Sequence, residues 1–214
     1  MSVDNQEFVN SILHKLSKIT YIKPGEVPNI DLYMDQVTTF MDEHLGDTKR
    51  YSDDKILTKT MINNYAKNHL LPPPVKKKYS KEHMLMLIFI YYFKNLLSIS
   101  DIQSLLKPMT EHFFGNDSSV SLDFIYKEVY RNEKQQLVSI AKEISEMQRM
   151  SEETFPDVKD AEEREYLQLF AFVCSLSFDV YMKKHVIESI IDEMNFDFAR
   201  NNNDKSEKSD KKKK

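Results

Sequence analysis

Residues 57–106 read LTKTMINNYAKNHLLPPPVKKKYSKEHMLMLIFIYYFKNLLSISDIQSLL. A short polar segment runs into three prolines, then a lysine cluster, then a strongly apolar segment. Thr58 is placed to cap a helix over Lys59–Asn68, since a hydroxyl ahead of the first turn accepts from its free N–H groups. On that helix Leu57, Met61, Ile62, Tyr65 and Ala66 turn toward a core. Lys59, Thr60, Asn63, Asn64 and Lys67 fill most of the other side. Pro72, Pro73 and Pro74 forbid continuation and enforce an extended path. Ser80 caps the next helix, Lys81–Leu97, which is apolar on nearly every side and is therefore expected to be the central packing element. Ser100 caps one more short helix, Asp101–Leu106, ended by Pro108.

Outward from this stretch the pattern stays helical, and the fold class expected is all-α. Apolar residues from Phe8 to Leu16 predict a first helix over Phe8–Thr20. Pro24, Gly25 and Pro28 then break the chain. Asp31 is placed to cap a second helix, Leu32–His44, followed by a polar loop, Leu45–Lys55. Beyond Gly115, Leu122–Met150 predicts one long helix. Pro156 sits in a break, and Ala161–Phe198 predicts a further helical region, bent or split near Lys183–His185. From Asn201 the sequence NNNDKSEKSDKKKK is a lysine-rich, low-complexity tail expected to be disordered. The chain thus divides into an N-terminal helix and linker (1–30), a central domain (31–110), a C-terminal helical region (111–200) and a tail (201–214).

Composition excludes several function classes. The 214 residues include only three glycines, Gly25, Gly46 and Gly115. Phosphate-cradling loops need several close together, so P-loops and dinucleotide folds are not expected. Cys174 is the only cysteine, which rules out an internal disulfide and a thiolate metal cage. Lying among Phe172, Val173 and Leu176, it is expected to be a buried, inert thiol. No pair of the six histidines shows an i, i+4 metal spacing, and no HExxH occurs. No Ser-His-Asp or Cys-His arrangement is recognisable. The expectation is a non-enzymatic, cofactor-free, cytoplasmic protein without a membrane span. Net charge is −4, but its distribution is uneven. Lys49 to Lys81 holds nine basic and two acidic residues, whereas Glu111 to Arg200 holds 19 acidic and ten basic ones. A basic segment on an acidic body can direct a polyanion to one surface. The plain alternative is a solvated lysine face.

The order LTKTMINNYAKNHLLPPP followed by YSKEHMLMLIFIYYFKNLLSISDIQSLL resembles the DNA-binding headpiece of the MerR-type (mercury-resistance regulator) family. That family carries a polar recognition helix ending in an aromatic, a Leu-Leu-Pro stop, a wing closing on Tyr-Ser, then a long apolar and a short helix. Leu57, Thr58, Ile62, Tyr65, Leu70, Leu71 and Pro72 fit the first part. Tyr79, Ser80, Leu87, Phe89, Ile90, Leu97, Ile99 and Ile102 fit the second. The whole chain is also similar to an uncharacterised bacterial family, a domain of unknown function with a MerR-like headpiece, in which IDLYMDQVTTFMDEHL precedes LTKTMINNY in the same way. The resemblance implies a MerR-like (winged) helix-turn-helix over about residues 30–108. Three departures stand out. The loop Leu45–Lys55 is far longer than a usual helix-turn-helix turn of about three or four residues. The segment Pro74–Tyr79 looks too short for a regular β-hairpin. The C-terminal portion shows no long heptad helix of the kind that pairs MerR-type dimers.

Under this resemblance Asn63 and Asn64 would meet an adenine edge in the major groove, and Lys59, Thr60 and Lys67 would meet phosphates. Lys76, Lys77 and Lys78 would grip the backbone, beside Tyr79, which either joins the contact or packs as a hinge residue. The alternative for the polar helix face is an ordinary surface. The implied partner is double-stranded DNA, with a homodimer reading two half-sites and an effector whose nature is unknown. The implied function is transcriptional regulation. The competing function is a protein-interaction module that keeps the headpiece fold without DNA. The aromatic region around Phe170, Phe172, Phe178, Tyr181, Phe196 and Phe198 would hold a second subunit or an apolar effector, or else form a self-contained helical core.

Overall fold

A computed structural model describes residues 5–16, 19, 21–115 and 120–210, with side chains described for residues 7–194 of these segments. The chain is mostly helical, in the order α1 (Asn5–Leu16), β1 (Leu32–Tyr33), α2 (Met34–Leu45), a 3-10 turn (Gly46–Thr48), α3 (Lys59–Lys67), β2 (Lys78–Tyr79), α4 (Lys81–Phe93), α5 (Ile99–Phe113), α6 (Leu122–Val129), α7 (Glu133–Glu152) and α8 (Ala161–Asp210). β1 and β2 pair antiparallel, Leu32 with Tyr79 and Tyr33 with Lys78.

Helix α4 is the hub, as its all-round apolar sequence predicts. Every residue from His83 to Tyr91 is buried. A helix with no polar face is stable only when surrounded, and residues from Ile22 to Tyr126 supply the surround. Val37, Met41 and Leu45 come from α2, Ile62 and Tyr65 from α3, Ile102 and Leu106 from α5, and Leu122 and Tyr126 from α6. The core therefore reaches past residues 31–110 at both ends. The loop after α2 is pinned rather than free. Lys94 Nζ donates to the Ile56 carbonyl at 2.6 Å, Thr48 and Tyr91 bond through their hydroxyls, and the Asp54 carboxylate accepts from the Arg50 and Tyr51 N–H groups.

Several sequence expectations need correction. Leu32 and Tyr33 belong to a strand, not to α2. Their partners lie some 45 residues on, at Lys78 and Tyr79, a pairing no local pattern reveals. Asp31 accordingly does not cap α2, and the Tyr33 N–H instead donates to Gln36 Oε1 at 2.9 Å. Helix α4 ends at Phe93, four residues early. Helix α5 starts earlier, with Ser98 rather than Ser100 as its cap, and passes through Pro108 to Phe113. Proline in a helix interior removes one hydrogen bond. Buried Leu106 and half-buried Leu105 and Met109 on its inner side hold the helix in place.

The single helix expected over Leu122–Met150 is broken between Val129 and Glu133. Tyr130 turns inward, where its ring meets that of Tyr21 at a tilt of 35°, with centroids 3.9 Å apart. Tyr126 donates to the Ile22 carbonyl at 2.6 Å, and the Tyr21 N–H donates to Glu133 Oε1 at 2.7 Å. Burial first, then neighbouring tyrosines, and for Tyr92 and Tyr126 also nearby glutamates, push the Tyr92, Tyr126 and Tyr130 hydroxyls far up, so all three stay neutral.

Helices α7 and α8 form an antiparallel hairpin around the break at Pro156. Gln168 Nε2 bonds the Glu152 and Thr154 carbonyls at 2.7 and 3.1 Å, and further along Lys183 pairs with Glu143 at 3.3 Å. The C-terminal half of α8 returns to the core through Ile187 and Ile191. Helix α8 is continuous rather than split near Lys183–His185, and it runs to Asp210, inside the segment expected to be disordered. No proline or glycine between residues 161 and 210 terminates it. Residues 211–214 lie outside the described residues, as do Ser17, Lys18 and Thr20 of the expected first helix. Helix α8 is thus a long C-terminal helix of 50 residues. Cys174, expected to be buried, is exposed on its outer side. The aromatic region is not a self-contained core either. Phe172 is buried, but Phe170, Phe178 and Tyr181 stand out in solvent, while the side chains of Phe196 and Phe198 lie outside the described residues.

Candidate nucleic-acid interface

Helix α3 begins where the sequence predicts. Thr58 Oγ1 accepts from the Met61 N–H at 3.2 Å. Ile62 and Tyr65 are buried, which orients the rest. Lys59, Asn63 and Lys67 follow one another at every fourth position, with Thr60 and Asn64 alongside. All five are exposed on one continuous face. After α3 the chain reverses sharply. His69 takes a left-handed backbone (φ 56°), and the Leu70 N–H bonds the Tyr65 carbonyl at 2.9 Å. This seats Leu70 and Leu71 in the core and launches the proline run.

The prolines deliver Val75 to a two-residue β-hairpin. Val75 and Lys78 exchange both backbone hydrogen bonds, at 3.1 and 2.9 Å. Lys76 and Lys77 form the tip, with φ of 50° and 64°. Positive φ at both central residues is the type I′ signature, which normally selects Asn-Gly. The segment expected to be too short for a hairpin is therefore a minimal one. A tight two-residue turn needs no more chain, and Lys78 bonds Val75 on one side and Tyr33 on the other. For a residue with a Cβ, left-handed backbone costs roughly 1–2 kcal/mol. Two consecutive lysines keep their charge at the exposed tip at that cost.

The two cationic elements meet at one place, the start of α2. Lys59 forms an ion pair with Asp35. Lys78 is half-buried, with its ammonium 5.4 Å from the Tyr33 ring centroid. The N-terminal end of α3 and the base of the hairpin thus flank residues 33–35. No carboxylate pairs with Lys67, Lys76 or Lys77 among the described residues. Tyr79 is turned inward and only 3 % exposed, so it packs rather than faces solvent. Lys81, at the edge of the basic segment, is tied to Asp123 at 2.6 Å. The sequence signalled the α3 face and the tip lysines. It offered no sign of Asp35 and Tyr33, whose roles arise from chain segments brought together by the fold.

Beneath the hairpin lies His83. Its Nδ1 accepts from the Ser80 N–H at 3.0 Å, and Tyr79 and Phe114 meet its ring edge-on at 5.5 and 4.7 Å. Nε2 is buried, and the Pro73 and Pro72 carbonyls stand near the ring without meeting hydrogen-bond geometry. Burial lowers the imidazole below its ordinary 6.5, against the smaller opposing pull of those carbonyls and Asp31. The unfolded chain therefore binds more protons, and stability rises with pH. Chemical denaturation is expected to show full stability above about pH 6.5 and a decline as pH falls below it. His83→Gln preserves a Ser-x-x-Gln capping box and is expected to flatten that decline. An unchanged slope would mean that His83 does not titrate in this range.

Among the described residues, no group of three His, Cys, Asp or Glu side chains is placed to hold a metal ion, and no helix is long and apolar enough to cross a membrane. A family profile described as a domain of unknown function (DUF1836) matches residues 22–130. This span coincides with the reach of the core from Ile22 to Tyr126 and the tyrosine cluster closed by Tyr130. Neither the curated proteins nor the solved structures contain a match.

Proposed function

The chain belongs to the DUF1836 family, and we propose that it is a sequence-specific, non-enzymatic DNA-binding protein acting as a transcriptional regulator in the cytoplasm. In this proposal α2, the pinned loop and α3 form a MerR-like helix-turn-helix, and the 75–78 hairpin is its wing. Asn63 and Asn64 read base edges, since an asparagine amide both donates and accepts at adenine. Lys59, Thr60 and Lys67 set the register on phosphates, and the wing tip holds the backbone. The observation that carries the proposal is the pair of unpartnered, exposed lysines at the hairpin tip, set in a costly backbone conformation near a polar helix face. Strain of this kind collects at functional sites. The acidic C-terminal helices carry dimerisation or signal sensing in this proposal, and the partner is duplex DNA rather than a membrane.

One observation favours the second reading, a protein-interaction module. Asp35 already occupies Lys59, so a phosphate must displace a carboxylate there. Fluorescence anisotropy with duplex DNA at graded salt separates the two. DNA binding requires affinity to fall steeply with salt. Lys67→Ala is expected to weaken binding on every sequence and to reduce the salt slope by about 0.9. Asn63→Ala is expected to cost about 1–3 kcal/mol on a selected site and little on random duplex. Salt-independent or undetectable binding at low salt would favour the interaction module.

A further inference from the structure

Of Lys59, Lys67, Lys76, Lys77 and Lys78, only Lys59 is ion-paired with a carboxylate among the described residues. Its partner, Asp35, stands in the first turn of α2. The Lys59 and Asp35 side chains are 60 and 76 % exposed, and an exposed pair of this kind adds little to folding stability. A carboxylate in the first turn also complements the α2 dipole, but that role needs no lysine from α3. The fold nonetheless fixes the pair. Helices α2 and α3 share one core through Val37, Met41, Ile62 and Tyr65. Lys59 lies one helical turn ahead of Asn63 on the exposed side of α3. Strand pairing sets Tyr33, two residues before Asp35, opposite Lys78. Asp35 therefore stands between the first cation of α3 and the base of the hairpin.

Resting on the DNA-binding reading, we propose that Asp35 is a specificity-determining residue. Its carboxylate keeps Lys59 from the phosphates of a wrong duplex and yields it on the right one. Non-specific binding is essentially electrostatic, so a cation withheld weakens it. Packing of α2 beside α3 holds the carboxylate next to Lys59 at high effective concentration. A phosphate of a random duplex approaches in no fixed register and does not displace it. On a site where Asn63 meets an adenine edge, the base contact fixes the register. A phosphate one turn back along α3 is then held as closely as the carboxylate, and Lys59 exchanges one anion for the other. Specificity gained against wrong partners needs a repulsive element, and the Asp35 charge, set between α3 and the hairpin, supplies it. The ion pair that counts against DNA binding at Lys59 thereby acquires a use within it.

The test compares the full chain, Asp35→Asn and Lys59→Ala by anisotropy at graded salt on two probes. One is a duplex selected from a random pool, the other a random duplex of equal length. On the random duplex D35N is expected to bind about threefold more tightly at low salt and to steepen the salt slope by about 0.9. On the selected duplex its slope is expected to match that of the parent, so the ratio of the two affinities falls. Lys59→Ala reads the same exchange from the other side. It is expected to lower the slope by about 0.9 on the selected duplex and to leave it unchanged on the random one. Equal effects of D35N on both probes, or none on either, overturn the proposal and leave DNA binding standing. A slope that Lys59→Ala lowers equally on both probes does the same. A parent chain without salt-sensitive binding, or without any enriched duplex, overturns the sequence-specific reading and this proposal with it.

Discussion

Changing Lys76 to Asn and Lys77 to Gly is expected to make the chain more stable and a poorer DNA binder at once. Both lysines stand at positive φ, where Asn-Gly is the favoured pair of a type I′ turn. Relief of the left-handed strain is expected to add about 1–2 kcal/mol to unfolding stability. The same change removes the two unpaired cations at the tip. Affinity for duplex DNA at moderate salt is expected to fall on the order of tenfold, and the salt slope by about 1.8, or 0.9 for each phosphate released. The opposite signs make the experiment discriminating. A turn retained only for structure would gain stability and keep its binding. A turn that loses stability on receiving Asn-Gly would contradict the backbone description itself. Denaturant unfolding and anisotropy on the same two proteins decide between these outcomes.

The second large effect lies in the core. Leu87 is fully buried at the middle of α4, so Leu87→Ala removes packing on a side that nothing else fills. The expected loss is about 2–5 kcal/mol, a large part of the roughly 5–15 kcal/mol that a domain possesses. Leu96, just past the helix and 45 % exposed, is its control. Leu96→Ala is expected to change stability by less than about 0.5 kcal/mol. A similar small effect at Leu87 would show that α4 is not the hub around which the other helices are arranged.

The elements legible in the sequence are those fixed by local chemistry. Thr58 capped α3 and Ser80 preceded α4 as expected, because a hydroxyl before an apolar periodic run is a local signal. The face carrying Lys59, Asn63 and Lys67 followed from helical spacing alone. What escaped reading depends on distant partners. Leu32 and Tyr33 look like the first turn of α2 until Lys78 and Tyr79 pair with them. Pro108 reads as a stop, yet the packing of Leu106 and its neighbours carries α5 past it. Tyr130 breaks a periodic helix because the Tyr21 ring receives it. The hairpin tip was hidden for another reason. Lysine carries no preference for positive φ, so the turn had no Asn or Gly to announce it. Asp35 as the partner of Lys59 was equally invisible, since the two meet only after α2 and α3 pack. Cys174 misled by its neighbours. Phe172 turns inward, while Cys174, two residues on, lies on the outer side of α8.

The pH decline expected from His83 and the salt dependence expected from the tip lysines are separable. The first acts on folding beneath the hairpin, and the second on association above it. His83→Gln should leave binding at neutral pH unchanged, whereas the Asn-Gly turn should leave the pH slope of stability unchanged.

The most direct measurement is selection from a random duplex pool with the purified full chain, followed by sequencing of the bound fraction, and repeated with Asn63→Ala. The account predicts an enriched sequence with the parent chain, and relaxed preference at one base position with the variant, at a cost of about 1–3 kcal/mol there. No enrichment over the input pool, or an enriched sequence indifferent to Asn63, would contradict the assignment of α3 as a reader of DNA.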